Sequence, residues 1–466
     1  MAKSYIFATQ RSDYANIRSL HGRKIPIKDM MGDSDSFAVP ETEDHILIVL
    51  GKNGTYETLL PHVLNIASKD GSSITIDLEH SHASTVSISK VRKVLNRSLV
   101  DGGNLLHPGE YEQLISLMGS VQLTEGQLLD HIKRYISARG YYFDDETVHN
   151  YHISLKTRPF VILAGLSGTG KSKLSQLYAE AIGNTVQNER YLRLAVRPSW
   201  NDDRYLLGYL NTLTGEYVTE PAVDFIIQAE KDRDNLYFFC LDEMNLAHVE
   251  YYFSQFLSAL EEENPADRRI PLFSKGTQAK LEKQGKDIGY DRAVIVPPNL
   301  LFTGTVNVDE TTQPLSDKVI DRANTLEFFD VDLDKIPTRQ APPDPIQVTT
   351  SAWRSYLATE PDSSFRPHIV TIGQILSKGS FGLGYRVVRE MEMFMANSSG
   401  LLDPRTAFDL QVKQRILPRV RGTQTIRPML IELISYAKKH NLARTGSRLE
   451  EMDNRLKRDG YTSFWR

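Results

Sequence analysis

The chain has 466 residues, of which 40% are hydrophobic and 24% are charged. This composition is that of a globular protein of two or three domains, and it excludes a largely disordered, collagen-like or disulfide-scaffold chain. Because 55 Lys and Arg residues face 59 Asp and Glu residues, the net charge is −4, and binding of nucleic acid would require a local basic patch.

Cysteine content and hydropathy indicate the compartment. The single cysteine, Cys240, excludes an internal disulfide, which fits a reducing environment. The first residues lack an apolar signal core, and no apolar run approaches the roughly 18–20 residues that span a bilayer. We therefore expect a cytoplasmic protein without a membrane segment.

Residues 1–125 are expected to form a smaller N-terminal module of mixed α/β structure that serves recognition or acts as an adaptor. Apolar runs at 46–50 and 74–78, bounded by Gly, Asn, Asp and Ser clusters, predict short strands. From about residue 87 the apolar spacing becomes helical. Thr124 and Gln127 have the spacing of a capping box ahead of a further helix.

Near residue 158 the pattern changes to short apolar runs that alternate with helical stretches. Runs of this kind are typical of strands buried on both faces of a parallel sheet, and they lie at 160–164, 192–196, 236–241 and 300–303. The sequence therefore predicts an α/β core over residues 126–335. Within it, residues 261–292 carry seven acidic and seven basic side chains and are predicted to form a solvated insert with a hairpin. Proline-rich residues 331–348 are predicted to be a linker, and residues 349–466 an all-helical C-terminal domain.

The most specific motif is GLSGTGKS, which fits GxxxxGK[ST] in full, follows a predicted strand and precedes a helical stripe. Glycines let several main-chain N–H groups point at one phosphate, and the helix adds the positive end of its dipole. We expect the Lys171 ammonium on the β and γ phosphates of a nucleotide and the Ser172 hydroxyl on Mg²⁺. The candidate phosphate-binding residues are Gly165, Ser167, Gly168, Thr169, Gly170, Lys171 and Ser172.

Two acids, Asp242 and Glu243, follow the apolar run at 236–241. An acidic pair at the end of a strand is often only solvated, but the upstream phosphate loop favours a functional pair. Asp242 would hold Mg²⁺, and Glu243 would polarise the attacking water. Cys240 in the same strand is expected to pack in the core rather than act as a reactive thiol.

Asn307 ends a third predicted strand, where the sheet would present its side chain beside the γ-phosphate. The alternative for Asn307 is a turn residue. Ser316 is a candidate cap for the next helix. Arg322, on that helix, is a candidate arginine finger that reaches a neighbouring subunit's site, and its alternative is a surface salt bridge.

The order of these motifs resembles that of AAA+ ring NTPases, in which a helical lid follows the α/β P-loop core. The stretches LDEMNLAHVEYYF (241–253), GTVNVDETT (304–312) and LSDKVIDR (315–322) are similar to the dynein-related, McrB-like branch. McrB is the nucleotide-driven motor subunit of modification-dependent restriction systems. The resemblance covers about residues 130–330 and continues more loosely through the lid.

The resemblance implies a role for each matched residue. It implies NTP hydrolysis with Asp242 on Mg²⁺, Glu243 on water, Asn307 as the first sensor, and Arg322 as the finger that acts in trans, with Arg292 as a weaker candidate. Arg386 lies where such proteins place a second sensor on the lid. Members that use GTP carry Asn-x-x-Asp after the third strand, whereas Asp309 follows Asn307 by two positions. ATP is therefore favoured, and GTP stays open.

Partners are also implied by the resemblance: a homo-oligomeric, hexameric ring, a separate nuclease subunit, and DNA contacted through the N-terminal module. Residues 405–466 carry fourteen Lys and Arg against six Asp and Glu. We expect this basic segment to contact the next subunit rather than nucleic acid, because aromatic residues are not interleaved with the charges. Residues 200–209 would face a ring channel, an interface or the core, and residues 141–143 would pack on a base or in the core.

Two other classes of function stay open. In a nucleotide-switched binding protein, the site would regulate the docking of a partner and turnover would be incidental. A small-molecule kinase would use the same phosphate loop, but the pair of acids and the strand that ends at Asn307 argue against it.

Overall fold

A computed structural model describes residues 123–285, 288–308, 312–329 and 331–465. Closer to the N-terminus it describes the strands given below and residues 91, 95, 110 and 114. The chain divides into two compact units, Met1–Leu128 and Leu129–Arg466. Within the described part of the chain, no helix combines the length and the apolar character needed to cross a membrane.

The N-terminal unit is built around one sheet with the strand order β2-β5-β4-β3-β1-β7, in which β6 pairs with β4. Strand β1 runs parallel to β3, and the other pairs are antiparallel. The strands predicted at 46–50 and 74–78 are confirmed. The helical spacing expected from about residue 87 falls mostly outside the described residues, and strand β7 lies within that stretch. The strands are Ser4–Thr9 (β1), Arg23–Pro26 (β2), His45–Lys52 (β3), Thr55–Asp70 (β4), Ser73–Ser81 (β5), Val86–Ser87 (β6) and Gly102–Leu106 (β7).

The second unit contains the α/β core and the C-terminal helices. Its strands are Phe160–Gly165 (β8), Tyr191–Ala195 (β9), Tyr209–Leu210 (β10), Tyr217–Val218 (β11), Tyr237–Asp242 (β12), Arg269–Pro271 (β13), Ala293–Ile295 (β14), Leu300–Asn307 (β15), Asn324–Phe328 (β16), Arg421–Thr423 (β17) and Tyr461–Ser463 (β18).

The α-helices alternate with the strands in the core and then follow one another. They are Glu125–Ala138 (α1), Asp145–Thr157 (α2), Lys171–Ala181 (α3), Arg204–Leu207 (α4), Pro221–Lys231 (α5), Val249–Tyr252 (α6), Ser254–Ala259 (α7), Lys275–Lys283 (α8), Asp317–Ile320 (α9), Thr350–Ser355 (α10), Arg366–Ser377 (α11), Tyr385–Asn397 (α12), Pro404–Gln411 (α13), Arg427–Lys439 (α14) and Ala443–Asp459 (α15). The predicted capping box at the start of α1 is confirmed, because Thr124 and Gln127 exchange side-chain to main-chain hydrogen bonds of 3.0 and 3.3 Å.

The core sheet has five parallel strands in the order β16-β8-β15-β12-β9. Four of them are the predicted strands, and β16 adds an edge strand beside β8. Every residue of β8 is buried, as expected for an apolar strand covered by helices on both faces. Phe239 and Phe302 pack at 5.5 Å between ring centroids, and each fully buried aromatic side chain contributes about 1.5–3 kcal/mol. The carboxyl ends of the parallel strands therefore meet at one rigid edge.

One expectation about secondary structure is confirmed in part and another was wrong. The hairpin expected in the insert at 261–292 is present as the antiparallel pair of β13 and β14, but helix α8 lies between the two strands. The C-terminal region is not entirely helical, because β17 pairs with β18. Residues 331–348 contain a single 3-10 turn, Leu333–Lys335, which agrees with a linker.

Buried charge joins the C-terminal helices to the α/β core. Glu390 on α12 pairs with Arg158, which follows α2, and with Arg415. Arg415 is 1% exposed and also donates to the carbonyl oxygens of Ile320 and Asp321, both at 3.1 Å. Burial lowers the pKa of both guanidinium groups, and the Glu390 carboxylate is the acid that pairs directly with both of them.

Candidate functional site

The predicted phosphate loop connects β8 to α3. Gly170 caps the helix with a φ of 89°, a left-handed conformation that costs little only for glycine. Ser167 and Gly168 lie in the exposed turn, and the Thr169 hydroxyl donates to the Leu166 carbonyl oxygen at 2.9 Å. The Lys171 ammonium folds back onto the loop and donates to the carbonyl oxygens of Gly165 at 3.1 Å and Leu166 at 2.5 Å. The loop thus holds a cation beside the first turn of a helix.

Asp242 lies at the carboxyl end of β12, next to this loop. Its Oδ1 accepts a 2.5 Å hydrogen bond from the Ser172 hydroxyl, although 70 positions separate the two residues. The same oxygen accepts from the Thr305 hydroxyl at 2.8 Å. Its Oδ2 pairs with Nε of Arg193 on β9 at 3.3 Å. Three neighbouring strands and the phosphate loop therefore converge on one carboxylate.

Glu243 follows with φ 53° and ψ 45°, a left-handed conformation that is unusual for a residue with a side chain. Its main-chain N–H donates to the Thr305 hydroxyl at 2.8 Å. Its Oε1 accepts from Nδ2 of Asn307 at 3.2 Å. The structure thus brings together Ser172, Asp242, Glu243 and Asn307.

The residues present fit a magnesium nucleotide. The Ser172 hydroxyl and the Asp242 carboxylate are hard oxygen donors, which Mg²⁺ prefers. The loop supplies a left-handed glycine and a lysine, the groups that phosphate oxygens require. The adjoining Cys240 side chain is buried, and burial raises the pKa of its thiol to about 12, so its assignment to core packing is confirmed.

A cavity of about 770 Å³ adjoins the phosphate loop at Thr169. Tyr142 and Phe143 line it from the segment before α2, and Arg444 and Arg448 line it from α15. Phe143 packs edge-on against Phe328 with ring centroids 6.1 Å apart, so it combines core packing with a place in the cavity wall. Acidic side chains line it as well, among them Glu327 and Glu451. A space next to the phosphate loop with aromatic and polar walls suits a base and its sugar.

The predicted arginines lie elsewhere. Arg322 is 8% exposed and pairs with Glu261 at 2.5 Å, and it also donates to two main-chain carbonyl groups. Arg386 pairs with the same Glu261. Arg292 is exposed beside β14. These arginines are not among the partners of Asp242 and Glu243. Asp309, whose spacing from Asn307 bears on the choice between ATP and GTP, lies outside the described residues.

Thr305 and Arg193 also belong to the site, and the sequence motifs assign neither of them. Thr305 lies two positions before Asn307 and therefore on the same face of β15, and this spacing could have indicated it. Arg193 stands out as a charged residue within an apolar strand. Of the aromatic residues at 200–209, Trp200 belongs to the core, whereas Tyr209 is 49% exposed.

One family model and a solved structure are similar to parts of this chain. A family model described as a domain of unknown function (DUF8727) matches residues 347–461. The search of curated proteins found no match. Among solved structures, the chain is similar to a putative ATPase from Cytophaga hutchinsonii, with 14% identity, a TM-score of 0.38, and coverage of 59% of this chain and 79% of that chain. At that score the likeness carries no argument about function, so the α/β architecture and the site stand on this chain's own geometry.

Proposed function

We propose that this protein is an AAA+ NTPase that binds and hydrolyses ATP, with GTP as an open second substrate. The observation that carries the proposal is the 2.5 Å hydrogen bond between Ser172 and Asp242. It joins the last residue of the phosphate loop to a carboxylate at the end of a neighbouring strand, which is the pairing that a magnesium nucleotide needs. The facing side chains of Glu243 and Asn307 support hydrolysis in addition to binding.

Each residue has a chemical task in this proposal. Lys171 exchanges its two carbonyl partners for phosphate oxygens, which are stronger acceptors because they are charged. Ser172 and Asp242 hold Mg²⁺, which supplies neutralisation of the charge on the phosphates. Glu243 orients and polarises a water molecule, and the Asn307 amide fixes the direction of the Glu243 carboxylate.

The assembly is a further part of the proposal. The motif resemblance supports a homo-oligomeric, hexameric ring in which Arg322 acts on the neighbouring subunit's nucleotide. It also supports a McrB-like motor role in a restriction system, with a separate nuclease partner and DNA contacted by residues 1–125. In the described conformation the Arg322 guanidinium is engaged within its own chain, so action in trans requires its release from Glu261.

Replacement of the proposed water-polarising carboxylate tests the hydrolytic assignment. Glu243→Gln keeps the size of the side chain and removes its charge, so turnover should fall by about 100-fold or more while the affinity for ATP stays within about threefold. Glu263→Gln, an exposed acid outside the site, is the matched control and should hydrolyse like wild type. Undiminished hydrolysis by Glu243→Gln would contradict the assignment.

A nucleotide-switched binding protein is the second candidate. The engagement of Arg322 within its own chain favours it, because a finger that stays paired with Glu261 leaves turnover slow. The dependence of the hydrolysis rate per subunit on protein concentration distinguishes the two candidate functions. A steep rise with concentration supports a ring with fingers acting in trans, whereas a slow and constant rate supports the switch.

A further inference from the structure

The segment that follows β12 is fastened to β15 residue by residue. The register of the two parallel strands places Leu241 beside Gly304. A Cβ atom at Gly304 would lie 2.1 Å from the Met244 sulfur, so Met244 packs where a larger residue could not stand. Asn245 exchanges two hydrogen bonds with the main chain of Asn307, at 2.8 and 3.1 Å.

Thr305 stands at the centre of this contact. Its side chain is 2% exposed, and its hydroxyl accepts from the Glu243 N–H and donates to the Asp242 carboxylate, both at 2.8 Å. The one hydroxyl group is therefore the donor to the Asp242 carboxylate and the acceptor for the Glu243 N–H. If the hydroxyl is removed, bulk water does not readily replace either hydrogen bond, because Thr305 is buried.

We call the two hydrogen bonds of Thr305, to Asp242 and Glu243, the Thr305 clamp. The conformation of Glu243 explains why this clamp is needed. A left-handed backbone costs an L-residue free energy that neighbouring contacts must offset. The N–H of Glu243 is held by Thr305, and its carboxylate is held by Asn307 two residues further along the same strand. Strand β15 therefore fixes both ends of Glu243.

We propose that Thr305 is a positioning residue that sets the orientation of both Asp242 and Glu243. The expected effect on the hydrolysis rate rests on the proposed function. The clamp itself is already present in the protein without nucleotide. Loss of the hydroxyl should let the turn at Glu243 relax, and displacement of a catalytic group by about 1 Å costs about 100-fold in rate. Contacts between the phosphate loop and the nucleotide should be retained.

The chain offers a matched control. Thr303 lies on the same face of β15 with the same 2% exposure, but its hydroxyl bonds to Tyr151 at 2.8 Å instead of to the acids. Thr305→Val and Thr303→Val therefore remove the same atoms from the same strand. Thr305→Ser keeps the hydroxyl and is the conservative rescue.

The experiment combines hydrogen exchange of the nucleotide-free protein with steady-state kinetics and nucleotide titration. In Thr305→Val we expect the Glu243 amide to exchange at least about tenfold faster and kcat to fall about 10- to 100-fold, with the Kd for ATP within about threefold. Thr305→Ser should recover both readouts, and Thr303→Val should leave both near wild type. If Thr305→Val does not fold, Thr305→Ala and Thr305→Ser give the same comparison.

The outcomes separate the two proposals. Equal effects of Thr305→Val and Thr303→Val, or unchanged exchange at Glu243, would overturn the positioning role whatever the wild-type activity. Faster exchange in a protein whose wild type hydrolyses no nucleotide would overturn the proposed function and the catalytic consequence together, and the clamp alone would stand.

Discussion

Glu390→Gln tests how the C-terminal helices are held on the α/β core. The Glu390 side chain is 15% exposed and lies between Arg158, at 9%, and Arg415, at 1%. The substitution removes the carboxylate that pairs directly with both buried guanidinium groups. Removal of one partner from a buried ion pair costs about 3–5 kcal/mol, and we expect about 4 kcal/mol here.

This cost translates into a measurable shift of the melting temperature. The unit Leu129–Arg466 has about 340 residues, and an unfolding entropy of about 2 cal/mol/K per residue gives about 0.7 kcal/mol/K. The expected loss is therefore about 6 °C in calorimetry or by circular dichroism at pH 7.

Glu263→Gln is the matched control for this substitution. Glu263 also pairs with an arginine of α12, Arg389, but the two side chains are 83% and 68% exposed. An exposed pair contributes about 0–1 kcal/mol, so the melting temperature should change by about 1 °C or less. Equal shifts for Glu390→Gln and Glu263→Gln, or no shift for either, would refute the argument from burial.

Two further predictions concern Glu261, with its two arginine partners, and Arg444 of the C-terminal region. Burial raises the pKa of Glu261, but hydrogen bonds from Arg322 and Arg386 outweigh it and leave the pKa below its usual value. The stabilisation by this ion pair is therefore complete above the ordinary pKa of a glutamate and is lost as the pH falls through the lowered pKa of Glu261. Glu261→Gln should lower the melting temperature by about 2 °C at pH 7, and this difference from wild type should shrink below about pH 4. A difference that does not depend on pH would contradict the pairing. Arg444 lines the cavity that adjoins the phosphate loop, and its Nε pairs with Glu146 at 2.6 Å. With a nucleotide in this cavity, Arg444→Gln should weaken binding of a fluorescent ATP analogue about tenfold, while Arg386→Gln should leave it unchanged; the reverse order would favour Arg386, the second sensor that the resemblance implies.

Local patterns explain what could be predicted of the fold. The phosphate loop is one contiguous stretch, and the strands at 160–164, 236–241 and 300–303 are continuous runs of mostly apolar residues, so the prediction of either does not depend on distant residues. Strand β16 escaped prediction because an edge strand with Asn324, Thr325 and Glu327 lacks an apolar run. The helix inside the insert escaped because its nine residues hold Leu281 as the one buried side chain.

The sequence indicates the two acids of the candidate site, but it does not indicate the hydrogen bonds that hold them in place. Asp242, Glu243 and Asn307 end apolar runs, and that position alone marks them. The contacts of Thr305 with both acids depend on the register of two strands whose residues lie 62 and 63 positions apart. Likewise, the pairing of Arg322 and Arg386 with one carboxylate, Glu261, follows from how helices pack and has no counterpart in the sequence pattern.

Calorimetric titration of the full chain with Mg²⁺-ATP and Mg²⁺-GTP measures nucleotide binding itself, with Lys171→Ala as the paired sample. We expect saturable heat at one site per chain for at least one nucleotide, and affinity at least about 100-fold weaker in Lys171→Ala, because the ammonium contributes a charge-assisted contact to the phosphates. The absence of heat with both nucleotides, or equal binding by Lys171→Ala, would contradict the proposed nucleotide site.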